Sequence, residues 1–150
     1  MDISKNIEGL IEQISDYIES VNSLELSKKS KPTSWSKKEI LGHLIDSGLN
    51  NLQRFTEIQF NEKPYRIKTY KQEELVKANN YQNAEVKDIL ALLRALNKRL
   101  LSIIKLQSEE NLEYEIIGPN GEKFNLRFLI EDYLIHFEHL LVLQYNQQPF

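Results

Sequence analysis

The residues able to do chemistry in this chain are few and fall into two groups. The first is His43, Asp46, Ser47, Asn50, Arg54 and Glu57. At about 100° per residue these share one side of a helix. Leu41, Leu44, Ile45, Leu52 and Phe55 spread over the other side. A polar helix face is in most cases simply solvated. The content here points further, because solvated faces favour Lys and Glu, whereas His-Asp-Ser-Asn-Arg is rich in side chains that ligate or hydrogen-bond. The neighbouring Lys37, Lys38, Asn51, Gln53, Thr56 and Gln59 already supply polar surface elsewhere on the same helix. The second group is Asp132, His136 and His139, on one side of another helix next to Leu140.

Histidines three residues apart on a helix can reach one ion, and metal sites in bundle cores use side chains from facing helices. One more imidazole, from His43, would complete three protein ligands and leave an open position, as catalytic metal sites do. The plainer alternative is that these histidines are satisfied core residues. Tyr65, Tyr70 and Tyr81 could line a pocket beside His43, or simply pin a long connection to the bundle.

Composition narrows the rest. There is no cysteine, so disulfides, thiolate zinc sites, iron–sulfur clusters and cysteine nucleophiles are excluded. His43, His136 and His139 are the only histidines, and any imidazole chemistry must use them. A net charge of -3 argues against a nucleic-acid partner, which needs a basic footprint. No phosphate-cradling glycine loop or Gly-x-Ser-x-Gly elbow occurs. Glu109 and Glu110 are adjacent, point apart on a helix, and read as a solvated helix end. Met1-Asp2-Ile3-Ser4-Lys5 lacks a basic segment followed by an apolar one, and no run nears the ~18–20 apolar residues of a membrane span. A cytoplasmic protein is expected, with no membrane partner.

The elements that must position these groups follow from periodicity and punctuation. One domain over residues 1–150 suits this length. Ile7, Leu10, Ile11, Ile14, Ile18 and Val21 predict a helix from about Ser4 to Leu24. The Lys-Ser-rich run to Pro32 breaks it. Ser36 and Glu39 form a capping-box pattern, with Trp35 at the staple position, for a helix running to about Phe60. Asn61 to Thr69 reads as loop and Lys71 to Ala78 as a short helix. Asn83 is the predicted N-cap for the third long helix, which carries Val86 to Ile104. Asn120-Gly121 between short β-prone runs predicts a hairpin, read as a packed loop because two strands alone are marginal. A last helix covers Leu126 to about Gln144. The fold class is all-α, a four-helix bundle with a short β-hairpin insertion before the last helix.

Trp35-Ser36-Lys37-Lys38-Glu39-Ile40-Leu41-Gly42-His43-Leu44-Ile45-Asp46-Ser47, followed by Asn50-Asn51-Leu52-Gln53-Arg54-Phe55, resembles the second-helix signature of the DinB/YfiT-like superfamily. Asp132-Tyr133-Leu134-Ile135-His136-Phe137-Glu138-His139 resembles its closing helix. The resemblance covers most of the chain in the right order. It implies a four-helix bundle, often a homodimer, in which three histidines hold a divalent metal, nickel or zinc. It also implies hydrolase or thiol-dependent transferase chemistry on a small-molecule substrate, with a low-molecular-weight thiol as a partner in some members. On that pattern His43 and His136 are metal ligands. The family's third ligand falls where this chain has Leu140, which cannot coordinate. Either His139 substitutes, or the site is degenerate and the protein is a non-catalytic binding or dimerisation module. If metal binds, Asp46 would orient an imidazole or act as general base, and Asn50 and Arg54 would position substrate or lock the helix-two stripe. For Arg54 the alternative is an ion pair with Glu57 or Asp46.

Overall fold

The computed structural model describes residues 3–145. Four long helices, α1 (Ile3–Ser20), α3 (Lys37–Glu57), α5 (Val86–Lys105) and α7 (Leu126–Tyr145), form the bundle. Short helices α2 (Ser23–Ser27), α4 (Gln72–Ala78) and α6 (Glu109–Leu112) and a 3₁₀ turn at Tyr81–Asn83 decorate the connections. The apolar spacing decides which faces meet. Ile7, Ile11, Ile14 and Ile18 of α1, Ile89, Leu93, Leu96 and Leu100 of α5, and Leu126, Ile130, Leu134, Phe137 and Leu141 of α7 are buried in one core. No helix among the described residues is long and apolar enough to cross a membrane.

The central element is α3, which packs against α2, α4, α5, α7 and the 3₁₀ turn. Its start is the anticipated capping box. The Glu39 N–H donates to Ser36 Oγ at 3.1 Å, and the Ser36 N–H donates to Glu39 Oε1 at 3.1 Å. Midway, α3 and α5 approach closely at Gly48, where an added Cβ would lie 2.7 Å from Leu96 Cδ2. A larger residue there would force the Leu96 side chain to shift.

Several boundaries differ from the sequence expectation for local reasons. The first helix stops at Ser20, because the Asn22 side chain accepts from the Leu24 N–H and begins α2 instead. Asn83 caps nothing. It sits in the 3₁₀ turn donating to Asn80 Oδ1, and α5 begins after Glu85. Glu109 and Glu110 do form a solvated helix end, as the exposed first turn of the short α6, capped by Ser108.

The hairpin is part of a sheet rather than a packed loop. β2 (Glu115–Ile117) and β3 (Lys123–Asn125) pair antiparallel, and β1 (Tyr65–Arg66) adds parallel to β2. The third strand comes from the stretch read as loop, being too short to leave a period-2 pattern. It makes the pair viable. It also ties the α3–α4 connection to the hairpin that precedes α7, and the two together roof one side of α3.

Candidate functional site

His43 lies on the first half of α3, where every residue from Glu39 to Gly48 is buried. It is 2% exposed. The Trp35 ring rests on it with centroids 4.8 Å apart. The His136 ring meets it edge-to-face at 5.8 Å. A separation of that order suits two imidazoles sharing one ion at ~2.0–2.1 Å from each nitrogen. His43 Nδ1 is buried and has no hydrogen-bond partner among the described residues. Burial, and then the charge of the neighbouring His136, pull the His43 pKa down from 6.5 to about 4. The imidazole is therefore neutral near pH 7, the form that ligates a metal. An orphaned buried nitrogen beside a second imidazole is the kind of donor a metal would take.

One turn further along, Asp46 is also 2% exposed. Its Oδ1 accepts from the Tyr81 hydroxyl at 2.6 Å and from the Asn79 amide at 2.9 Å. Its Oδ2 is buried without a partner among the described residues. Burial pushes the carboxyl pKa up, against the pull of the Tyr81 and Asn79 hydrogen bonds. Burial, and then donation to Asp46, push the Tyr81 hydroxyl up as well. Gly42 makes this arrangement feasible, since a Cβ there would stand 2.1 Å from Tyr81 Cδ2. The tyrosine ring occupies the space that any other side chain would fill.

Beside His136 a cavity of about 350 Å³ opens. Ser47, Asn51 and Arg54 of α3 form one wall, and Leu129, Asp132, Tyr133 and His136 of α7 the other. Ile67, Thr69 and Tyr70 from the strand-bearing connection, with Pro119 and Phe124 from the hairpin, close it. Arg54 donates from Nη2 to the Lys68 carbonyl at 2.8 Å and from Nη1 to Asn51 Oδ1 at 3.5 Å. Its guanidinium lies 5.5 Å from the Tyr70 ring centroid. Burial lowers its pKa from the ordinary value. Among the described residues Arg54 makes no ion pair with Glu57 or Asp46. Glu57 accepts instead from Tyr65 at 2.9 Å and from Gln53 at 2.7 Å.

The structure thus brings His43 and His136 together and holds Asp46 against Tyr81. His139 is exposed on α7, and among the described residues no three His, Asp or Glu side chains gather into a group that could hold a metal. Leu140 is half-buried and packs against the core. The Asn50 amide is engaged with the Asp46 carbonyl at 2.8 Å. Asn51, assigned by sequence to ordinary polar surface, is 5% exposed and lines the cavity. Asp46 and Asn51 bracket the polar stripe from opposite edges, roughly 140° apart around α3. The α4 and 3₁₀ segment covers one edge, and the cavity opens on the other. Tyr133 was not singled out either. Its hydroxyl donates to Asn97 Oδ1 while its side chain lines the cavity.

A buried neutral imidazole facing a second one across two helices, next to an open cavity, defines a helical bundle with a histidine-based candidate metal centre. Residues 7–139 match the DinB superfamily, and the chain belongs to it. A candidate metal-dependent hydrolase from Halalkalibacterium halodurans is 27% identical over 137 residues, 91% of this chain and 79% of that protein. One from Oceanobacillus iheyensis is 26% identical over 137 residues, 91% and 78% of the two chains. Among solved structures, YfiT from Bacillus subtilis aligns with a TM-score of 0.81 at 20% identity, over 93% of this chain and 80% of that one. It is described as a candidate metal-dependent hydrolase with an unusual four-helix bundle topology. A mycothiol-dependent maleylpyruvate isomerase aligns with a TM-score of 0.65 at 12% identity, over 95% of this chain but 57% of that one. At these identities the structural likeness speaks for the fold.

Proposed function

We propose that this protein is a metal-dependent enzyme, of hydrolase or thiol-transferase type, whose metal is held by His43 and His136 with His139 as third donor. The observation that carries this is the unpartnered, buried Nδ1 of a neutral His43 beside the His136 ring. The names of the relatives support the same class. A divalent ion such as zinc or nickel, when bound, supplies Lewis acidity and makes a water- or thiol-derived nucleophile available near neutral pH. The chain's residues do the rest. Trp35 and the bundle core keep water from His43. Asp46, fixed through Oδ1 by Tyr81 and Asn79, keeps Oδ2 free to orient an imidazole or hold a proton. Substrate enters the cavity that His136 lines, with Arg54 positioning it. The mycothiol-dependent neighbour favours a thiol as one reacting partner.

A second reading has its own support. The absence of a three-donor group among the described residues, and Leu140 packed toward the core, favour a degenerate member that binds without catalysis. Zinc and nickel titrations of untagged protein separate the two. The first reading expects one equivalent bound, abolished by His43→Ala and weakened at least about tenfold by His139→Ala. Weak binding in the parent that becomes tight only in Leu140→His would establish the second and sink the first.

A further inference from the structure

We propose that the cavity beside His136 recognises a small organic acid, whose anionic carboxylate or phosphate group pairs with Arg54 and whose apolar body lies against Ile67, Phe124 and Leu129. This takes from the proposed function only that substrate enters this cavity.

The argument begins with a charge that lacks a counter-charge. Arg54 is half-buried, yet none of the ion pairs among the described residues involves it. Its two hydrogen-bond acceptors, the Lys68 carbonyl and Asn51 Oδ1, are both uncharged. A guanidinium has five N–H donors, so part of the fork stays available. Withdrawing a cation from water is unfavourable unless an anion or a π-face compensates. The Tyr70 ring at 5.5 Å does so only in part. The planar fork suits a carboxylate or a phosphate oxygen pair, held by two parallel hydrogen bonds.

The walls define the rest of the ligand. Ile67, Phe124 and Leu129 present an apolar surface in the same cavity, and Ser47 offers a hydroxyl. At about 350 Å³ the space is at the small end of ligand sites, which run ~300–1,000 Å³. The one carboxylate in the lining is Asp132, on the α7 wall with His136. It makes no ion pair with Arg54 among the described residues, so it does not neutralise the guanidinium. The anion is therefore recognised from the α3 wall, with its body extending past the side on which His136 sits.

The test is calorimetric titration of the full chain, as purified, with hexanoate, hexyl phosphate and uncharged hexanamide as probes. One of the two anions should bind at least about tenfold more tightly than hexanamide, the scale of a hydrogen bond to a charged group. Which anion is preferred separates a carboxylate from a phosphate substrate. Arg54→Gln should erase the preference. No saturable binding of either anion below about 10 mM, equal binding of all three probes, or a preference that survives Arg54→Gln would each overturn the proposal. Should Arg54→Gln not fold, the Arg54 Nε–H resonance of the parent decides. It must shift with the preferred anion and not with hexanamide, and an unmoved resonance counts against. A zinc titration of the same preparation keeps the two ideas apart. An anion preference without zinc binding removes the proposed metal centre and leaves this inference standing. Zinc binding without the preference does the reverse.

Discussion

The two histidines that meet at this site come from unlike halves of the molecule. On the α3 side His43 is sealed under Trp35, and Asp46 is fixed by Tyr81 and Asn79. On the α7 side His136 and His139 are exposed, and neighbouring Ile135 is 57% exposed. The difference suggests a division of labour between a wall that presents donors in one arrangement and a wall that admits ligand. A site built wholly in the first manner would be closed to substrate. One built wholly in the second would have to order its side chains at each binding event.

The sharpest way to break that contrast is to disturb the sealed wall. Gly42→Val puts atoms where the Tyr81 ring lies, since even a Cβ would stand 2.1 Å from it. Overpacking of this kind costs about 1–3 kcal/mol. Ile135→Ala on the open wall should change stability by less than about 0.5 kcal/mol. Urea unfolding of both variants measures the difference, and equal effects would mean that the two walls do not differ in rigidity.

The next effect is read from pH. Folded His43 has its pKa lowered to about 4, against 6.5 for the free side chain. Between these values the unfolded chain takes up a proton that the folded chain refuses. Stability is therefore full above about pH 6.5, declines as pH falls, and has lost this contribution below about pH 4. The expected loss across the window is about 1–3 kcal/mol. His43→Gln should flatten that part of the stability–pH curve, whatever it does to stability at pH 7. A slope that survives the substitution would place the titrating group elsewhere.

Much of this was legible in the sequence because it rests on local chemistry. Ser36 and Glu39 announce the start of α3, and the isoleucine and leucine spacing places all four long helices. His43, His136 and His139 stand out by residue type alone, but type does not tell that His139 would stay exposed. What stayed hidden depends on pairing at a distance. β1 is two residues long and exists only because β2 offers it an edge. Nothing in a helical wheel says that Tyr81 would cover Asp46 while leaving Asn51 to the cavity. Asp46 lies on the polar stripe and Asn51 just outside it, and only the placement of the α4 and 3₁₀ segment decides which is covered. Gly42 carried a hint, as a glycine inside a strong helix pattern, where it needs a packing reason.

Tyr81→Phe probes the same frame more gently. It keeps the ring over Gly42 and removes the hydroxyl that donates to Asp46 at 2.6 Å. Asp46 Oδ1 is left with Asn79 as its donor, and the buried carboxyl loses part of its compensation. The expected cost is about 1–2 kcal/mol. Its pKa, already raised by burial, should rise further, because a hydrogen bond that favours the charged form is gone. A carboxyl-selective NMR titration checks the direction. An unchanged Asp46 titration would mean that the hydroxyl contributes nothing to fixing the sealed wall.

The smallest effect comes from comparing an ion pair beside each helix start. Near the head of α3, Lys29 pairs with Glu39 at 2.8 Å, and the Glu39 side chain is only 9% exposed. Glu39 also closes the capping box, so Glu39→Ala removes a cap and leaves the exposed Lys29 without this partner, for about 1 kcal/mol. Near the head of α7, Arg127 pairs with Glu109 at 2.7 Å, a shorter contact between more exposed groups. Distance alone would rank the α7 pair as the stronger. Exposure reverses the order, because water screens the attraction and both side chains give up rotamer freedom to make it. Arg127→Ala should leave the urea midpoint where it was, at low and at high salt alike, while Glu39→Ala lowers it. A larger drop from Arg127→Ala would mean that α7 owes its position to its surface charges, and that the wall carrying His136 is held more firmly than its exposure implies.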